Sequence, residues 1–164
     1  MVERRGCEAA SVSQYSLRDF KIEQELARCG AGSVFRARHT RSGKSVVLKS
    51  RRTAELGKDA NILHEVNLLQ KLDHPNIIQC LGHFWDQQRA VLYIVLEYAE
   101  AGDLASLIKD AQQRRQLISE PRIWGLFLPI MNVAAYLHHR GIIHRDFKPL
   151  NVFLTGAGVV KARP

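Results

Sequence analysis

Residues 144–151 read HRDFKPLN, a stretch that holds a carboxylate, Asp146, an ammonium, Lys148, and a carboxamide, Asn151. A carboxylate within reach of a hydroxyl can orient it and accept its proton, and a lysine can neutralise charge on a moving phosphoryl group. An amide oxygen can ligate a hard cation. Together these groups suit phosphoryl transfer. A lone His-Arg-Asp tripeptide is mostly chance, so its weight depends on the residues that precede it.

SGKS at 42–45 offers a competing phosphate site, since Gly-Lys-Ser is how a Walker phosphate loop closes. That loop needs a glycine five residues before Gly43, where Arg38 stands, and it belongs between a strand and a helix. Strand character instead continues through Val46, Val47 and Leu48. A second pattern fits the region better. Gly32-Ser33-Val34 precedes VVLK, so that Lys49 follows Val34 by 15 residues, and Glu65 heads EVNLLQKLDHPNI. YIVLEYAEAGDL and then HRDFKPLN come next. Each piece is weak alone; in this order and at these separations they reinforce one another.

Such residues meet only if separate elements carry them to one place. FKIEQELA, SVFRARH and KSVVLKS have strand character and are separated by RCGAG and TRSG, which predicts an antiparallel meander over residues 20–50. Between Leu56 and Leu72, Ile62, Leu63, Val66, Leu69 and Leu72 recur at helical steps, and DHPN ends the pattern. IIQCLGHFWD and AVLYIVLEYA predict two further strands, and Asp103 is placed to start a short helix. From Ser119 to Arg140 a stripe of Trp124, Phe127, Leu128, Met131, Ala135 and Leu137 predicts a longer helix, with Ser119 as N-cap and Pro121 in the first turn. Pro129 falls inside it, where proline costs about 3 kcal/mol or kinks the helix. The chain reads as one α+β unit without repeats.

The 164 residues suffice for a domain with a sizeable core. The formal net charge of +8 is concentrated between Arg36 and Arg52, where no acid intervenes; a solvated strand face explains that run better than nucleic-acid binding. Cys7, Cys29 and Cys80 are odd in number and unpaired in spacing, which indicates neither a disulfide framework nor a zinc site and fits a reducing cytoplasm. The N-terminus has no apolar signal region, and AVLYIVLEYA is too short to span a bilayer, so no membrane association is expected. Residues 1–15 read as a mobile arm.

Over residues 16–161 the chain resembles the eukaryotic protein kinases, and LYIVLEYAEAGDL with HRDFKPLNVFLT is most similar to the NIMA-related (NEK) serine/threonine group. The resemblance implies a protein-kinase-like fold: a five-stranded antiparallel N-lobe with one long helix at 16–98, then a hinge and the first, incomplete part of a helical C-lobe at 99–164. It implies ATP and Mg²⁺ as cofactors and a protein substrate of unknown identity. Lys49 then corresponds to the lysine on the α- and β-phosphates, and Glu65 to its helix partner; a surface Lys–Glu pair is the plainer alternative. Leu26, Gly32, Val34, Val47 and Phe153 line the ATP site. Leu96 is the gatekeeper, and the backbone of Glu97 and Ala99 pairs with adenine, unless LEYA is an ordinary strand exit. Asp146 orients the substrate hydroxyl, Lys148 marks serine/threonine kinases, and Asn151 holds one metal ion. His144 packs under the loop, and Arg145 answers a phosphorylated activation loop.

The departures from the family are also specific. Ala27, Cys29 and Gly32 stand where it carries three glycines, although Gly30 and Gly32 make a G-x-G of their own, and Val47 replaces a smaller alanine. After the short strand matched here by GVVK the family continues within a few residues to Asp-Phe-Gly, whose aspartate is the principal metal ligand, whereas this chain reads ARP. Loss of that ligand is expected to cost roughly a hundredfold to a thousandfold in rate. The long helix is expected to lack cover, which leaves a face for a protein partner. The alternatives to an active enzyme are a non-catalytic, pseudokinase-like interaction module and a gene fragment; a cytoskeletal setting follows from the NEK analogy alone.

Overall fold

The structure is a computed structural model that describes residues 15–30, 32–52 and 60–163, apart from the side chains of residues 29, 60–63 and 65. Residues 1–14 of the expected arm, with Cys7, lie outside the described residues. Tyr15, the last residue assigned to that arm, packs against the core, its ring centroid 5.4 Å from that of Phe20.

Alternating apolar and polar residues build strands β1 (Phe20–Cys29), β2 (Gly32–His39) and β3 (Ser45–Arg52), followed by helix α1 (Ala60–Gln70) and strands β4 (Cys80–Asp86) and β5 (Val91–Glu97). The five strands form one antiparallel sheet, as expected, in the order β1-β2-β3-β5-β4. The first six residues of β5 are all buried, because this strand lies between β3 and β4 with both faces covered. Phe20, Ala37, Val46, Leu48, Phe84, Tyr93 and Val95 form the core on one face. Val66 of α1 packs with Ile78, Leu92, Ile94 and Leu96 in a second cluster. The basic run on β2 is balanced from β1: Glu23 accepts from Arg36 at 3.1 Å and from Arg38 at 2.7 Å.

The fourth strand was expected from Ile77, yet β4 begins at Cys80. Ile77 and Ile78 are buried, but their backbone is committed elsewhere. The Ile78 N–H donates to the Ala162 carbonyl at 2.8 Å, and the Ala162 N–H donates to the Asn76 carbonyl at 2.7 Å. Those bonds attach a two-stranded hairpin, β6 (Val152–Leu154) with β7 (Val160–Ala162), to the segment that leads into the main sheet. On its other side the hairpin is fixed to the chain just beyond β5, where Ala101 donates to the Leu154 carbonyl and Leu154 to the Gly102 carbonyl, both at 2.9 Å.

Two helices complete the described chain. Helix α2 (Leu104–Gln113) starts as expected at Asp103, whose carboxylate accepts from the Ser106 N–H at 2.7 Å. Helix α3 (Glu120–His139) starts after Ser119, although the serine side chain makes no capping bond, and it runs unbroken through Pro129. The ring leaves the Gly125 carbonyl without its usual i+4 donor. The predicted stripe on α3 requires correction. Leu137 is buried, but Trp124, Phe127, Leu128, Met131 and Ala135 are exposed; the residues facing the core are Leu126, Ile130, Val133 and Leu137. The helix is apolar on more than one side, so periodicity alone does not select the buried face; packing of Val133 and Leu137 against Leu72, Ile77 and Ala162 does.

Urea unfolding distinguishes the two sides of α3. Leu137→Ala is expected to cost about 2–5 kcal/mol, and Leu128→Ala to stay within about 0.5 kcal/mol.

Candidate functional site

Cross-strand partners share a face, and so do residues two apart on a strand. Val34 lies opposite Lys49, Lys49 opposite Ile94 and Val47 opposite Leu96, so Val34, Val47, Lys49, Ile94 and Leu96 occupy one face of the sheet. Leu96 and Ala99 belong to the cluster around Val66, and Val47 and Phe153 pack against that cluster. The structure therefore gathers the predicted residues of the apolar slot from β3, β5, the segment after β5 and β6. Leu26 sits at an irregularity in the β1–β2 register, between the Glu25–Phe35 and Ala27–Val34 pairs, and remains 43% exposed. The side chain of Glu65 lies outside what is described, so the predicted Lys49 partnership does too.

Gly32, expected to line the ATP site, is constrained within the protein itself. A Cβ at this position would collide with the Ser50 carbonyl oxygen. Next to it, the Ser33 N–H donates to Ser50 Oγ at 2.8 Å and Ser50 Oγ donates to the Ser33 carbonyl at 2.9 Å. The start of β2 is thus pressed onto β3, which any side chain would prevent.

The loop before β6 is organised by Asn151, the one buried polar residue in the described core, 3% exposed. Its Nδ2 donates to the Asp146 carbonyl at 2.8 Å and to Asp146 Oδ2 at 2.7 Å. Its backbone N–H donates to the Lys148 carbonyl, and its carbonyl accepts from the Arg163 N–H, each at 2.8 Å. Lys148 Nζ reaches Asp146 Oδ1 at 2.8 Å. The three predicted residues of the loop are thus in direct contact, with about half of the Asp146 and Lys148 side chains open to solvent.

His144 supports the loop from beneath. Its Nδ1 accepts the Asp146 N–H at 3.2 Å, which places the ring proton on Nε2, where it donates to the Arg163 carbonyl at 2.6 Å. The ring also stacks on Phe147 at 3.9 Å, so both nitrogens and one face serve packing and the backbone, as expected. Between them Arg145 holds φ of 61°, a left-handed conformation that costs a non-glycine residue about 1–2 kcal/mol and that these bonds enforce.

The ammonium of Lys148 and, after it, the amide of Asn151 hold the Asp146 carboxyl below its usual range. At neutral pH the carboxylate is ionised, a ready acceptor for a hydroxyl proton though a weak base, so its first effect is orientation. Cys80 is a free thiol that burial pushes up in pKa, which keeps it protonated and inert.

The protein kinase domain profile matches residues 20–163. This chain belongs to the protein kinase family. Among curated proteins it is 35% identical over 156 residues to serine/threonine-protein kinase Aurora-1 of Arabidopsis thaliana, covering 93% of this chain and 51% of that protein. It is 36% identical over 138 residues to serine/threonine-protein kinase Nek4 of Mus musculus, covering 83% and 17%. It is 35% identical over 147 residues to the cytokinesis protein sepH of Emericella nidulans, covering 88% and 10%. The chain thus spans from about a tenth to about half the length of these relatives. NEK, Aurora and sepH proteins stand at comparable identity, so the family is shown and the NEK group is one of several near branches.

A kinase domain implies ATP and Mg²⁺ in general. Mg²⁺ is bound by one or two carboxylates together with phosphates and water. Asn151 can offer its Oδ1, whereas the Asp146 carboxylate is engaged by Lys148 and Asn151, and the described residues hold no cluster of three or more acidic, His or Cys ligands.

Sequence reasoning missed Lys161, which reaches the end of β5, and Asn76, whose Nδ2 donates to the Val160 carbonyl at 2.9 Å. Alternation in VVKA sets Lys161 on the face opposite Val160 and Ala162, but nothing local in sequence names its partner. Among the described residues, no helix is long and apolar enough to cross a membrane.

Lys148→Met is expected to raise the Asp146 pKa toward its ordinary value of about 3.9. Carboxyl ¹³C NMR titration measures the shift. Because the folded pKa is depressed, the stability contributed by Asp146 is present above its unfolded pKa and lost as pH falls through the folded one. In the variant that loss shrinks.

Proposed function

We propose that this chain carries the nucleotide slot and catalytic loop of a serine/threonine protein kinase of the NEK kind, which transfers the γ-phosphoryl group of ATP to protein hydroxyls. The observation that carries the reading is the contact of Asp146 with both Lys148 and Asn151, on a loop fixed to the same hairpin that supplies Phe153 to the slot. The apolar slot of Val34, Val47, Leu96, Ala99 and Phe153 suits an adenine ring. The Glu97 carbonyl and the Ala99 N–H take its polar edge, and Lys49 faces the phosphates. Leu26 and Gly32 lie at the rim.

In the transfer step the substrate oxygen forms a bond to the γ-phosphorus as the bond from that phosphorus to the β-phosphate oxygen breaks, and the hydroxyl proton passes to Asp146. Lys148 offsets charge on the phosphoryl oxygens, and Asn151 keeps the carboxylate aimed. The LYIVLEYAEAGDL stretch supports the NEK branch. The name of the sepH relative supports a setting in cell division, and the NEK analogy a cytoplasmic site near the cytoskeleton.

Incubation of the chain with radiolabelled magnesium ATP and casein tests the reading. Incorporation above background, reduced at least about a hundredfold by Asp146→Asn, is the expected result. ATP binding without incorporation identifies a non-catalytic nucleotide-binding module instead.

A further inference from the structure

At the C-terminal end of β5 the side chain of Glu97 turns away from Leu96, as alternation along a strand requires. Its carboxylate meets Lys161 Nζ with both oxygens, at 2.9 Å and 3.0 Å, and also accepts the Gln79 N–H at 3.1 Å. The pair is largely enclosed, with Lys161 15% and Glu97 28% exposed at the side chain. The other ion pairs around the site are more open; Lys148 with Asp146 is about half exposed on each side.

Lys161 occupies β7 directly opposite Phe153 on β6, so the two side chains share a face of the hairpin. Phe153 packs on the apolar slot, and the lysine beside it extends to the strand end that precedes Ala99. The hairpin carrying both is held by the Ile78–Ala162, Asn76–Ala162 and Asn76–Val160 bonds. A fixed base, a charged strut and the edge of the slot are therefore connected in series.

We propose that Lys161 is a positioning residue for nucleotide binding: through Glu97 it fixes the distance between the Phe153 floor of the slot and the backbone at residues 97–99. This rests on the nucleotide site proposed above. Lys161 touches no nucleotide; it acts by holding the chain segment that does. Without the ammonium, the Glu97 carboxylate retains only the Gln79 N–H and moves toward water, since an enclosed carboxylate with one neutral donor is poorly compensated. The slot edge moves with it, at the base end and not at the phosphate end.

Calorimetric titration of the whole chain with adenosine and with ATP tests this. Lys161→Met is expected to weaken both ligands by the same factor, about threefold to tenfold, because the strut acts on the base alone. Lys161→Arg is expected to stay within about twofold of wild type, and Lys161→Glu combined with Glu97→Lys to recover most of the loss. Should Lys161→Met fail to fold, Glu97→Gln provides the same reading. Wild-type binding with unchanged affinity in the variants overturns the strut alone, and so does a loss confined to ATP. A wild-type chain that binds neither adenosine nor ATP overturns the nucleotide site, and the strut with it.

Discussion

The burial of Asn151 is the constraint on which the site depends. A carboxamide taken out of water costs about 1–3 kcal/mol for each group left unpaired, so its bonds must be made inside the protein. Asn151 makes them to the backbone and carboxylate of Asp146, and its own backbone joins Lys148 on one side and Arg163 on the other. Satisfying one buried side chain thereby fixes the loop, the carboxylate at its centre and the end of the hairpin beyond it. The left-handed backbone at Arg145 and the single tautomer of His144 follow from the same closure.

That hairpin transmits the constraint to the large sheet. Its strands bond to residues 76–78, between α1 and β4, on one side and to residues 101–102, between β5 and α2, on the other. Phe153 and the catalytic loop thus move as one piece, and the apolar face bearing Val34, Val47 and Lys49 is set against them. Gly32 adds a local condition at the far end, where contact between β2 and the Ser50 carbonyl leaves no room for a side chain.

Much of this was legible because it is written locally. Alternation spells the five strands, Asp103 marks the start of α2, and the spacing from Val34 through Lys49 to HRDFKPLN identifies the family without reference to the fold. What was not legible is non-local. The helix at 120–139 is apolar on several sides, and only its neighbours decide that Val133 and Leu137 face inward while Trp124 and Phe127 do not. Ile77 and Ile78 look like strand residues, but the Ile77 N–H turns back to the His74 carbonyl and the Ile78 N–H donates to Ala162, in a hairpin more than eighty positions away. Glu97 and Lys161 are 64 residues apart and carry no shared motif. The branch within the kinases is equally beyond one sequence, since Nek4 and Aurora-1 match at nearly the same identity.

The central claim is that Asn151 organises the catalytic loop without holding the sheet together. Hydrogen exchange on Asn151→Ala measures this directly. The account predicts strongly accelerated exchange across residues 143–151 and at the Arg163 amide, with β3 and β5 as protected as in the wild type. Unchanged protection of the loop, or loss of protection in the sheet to the same degree, would contradict it.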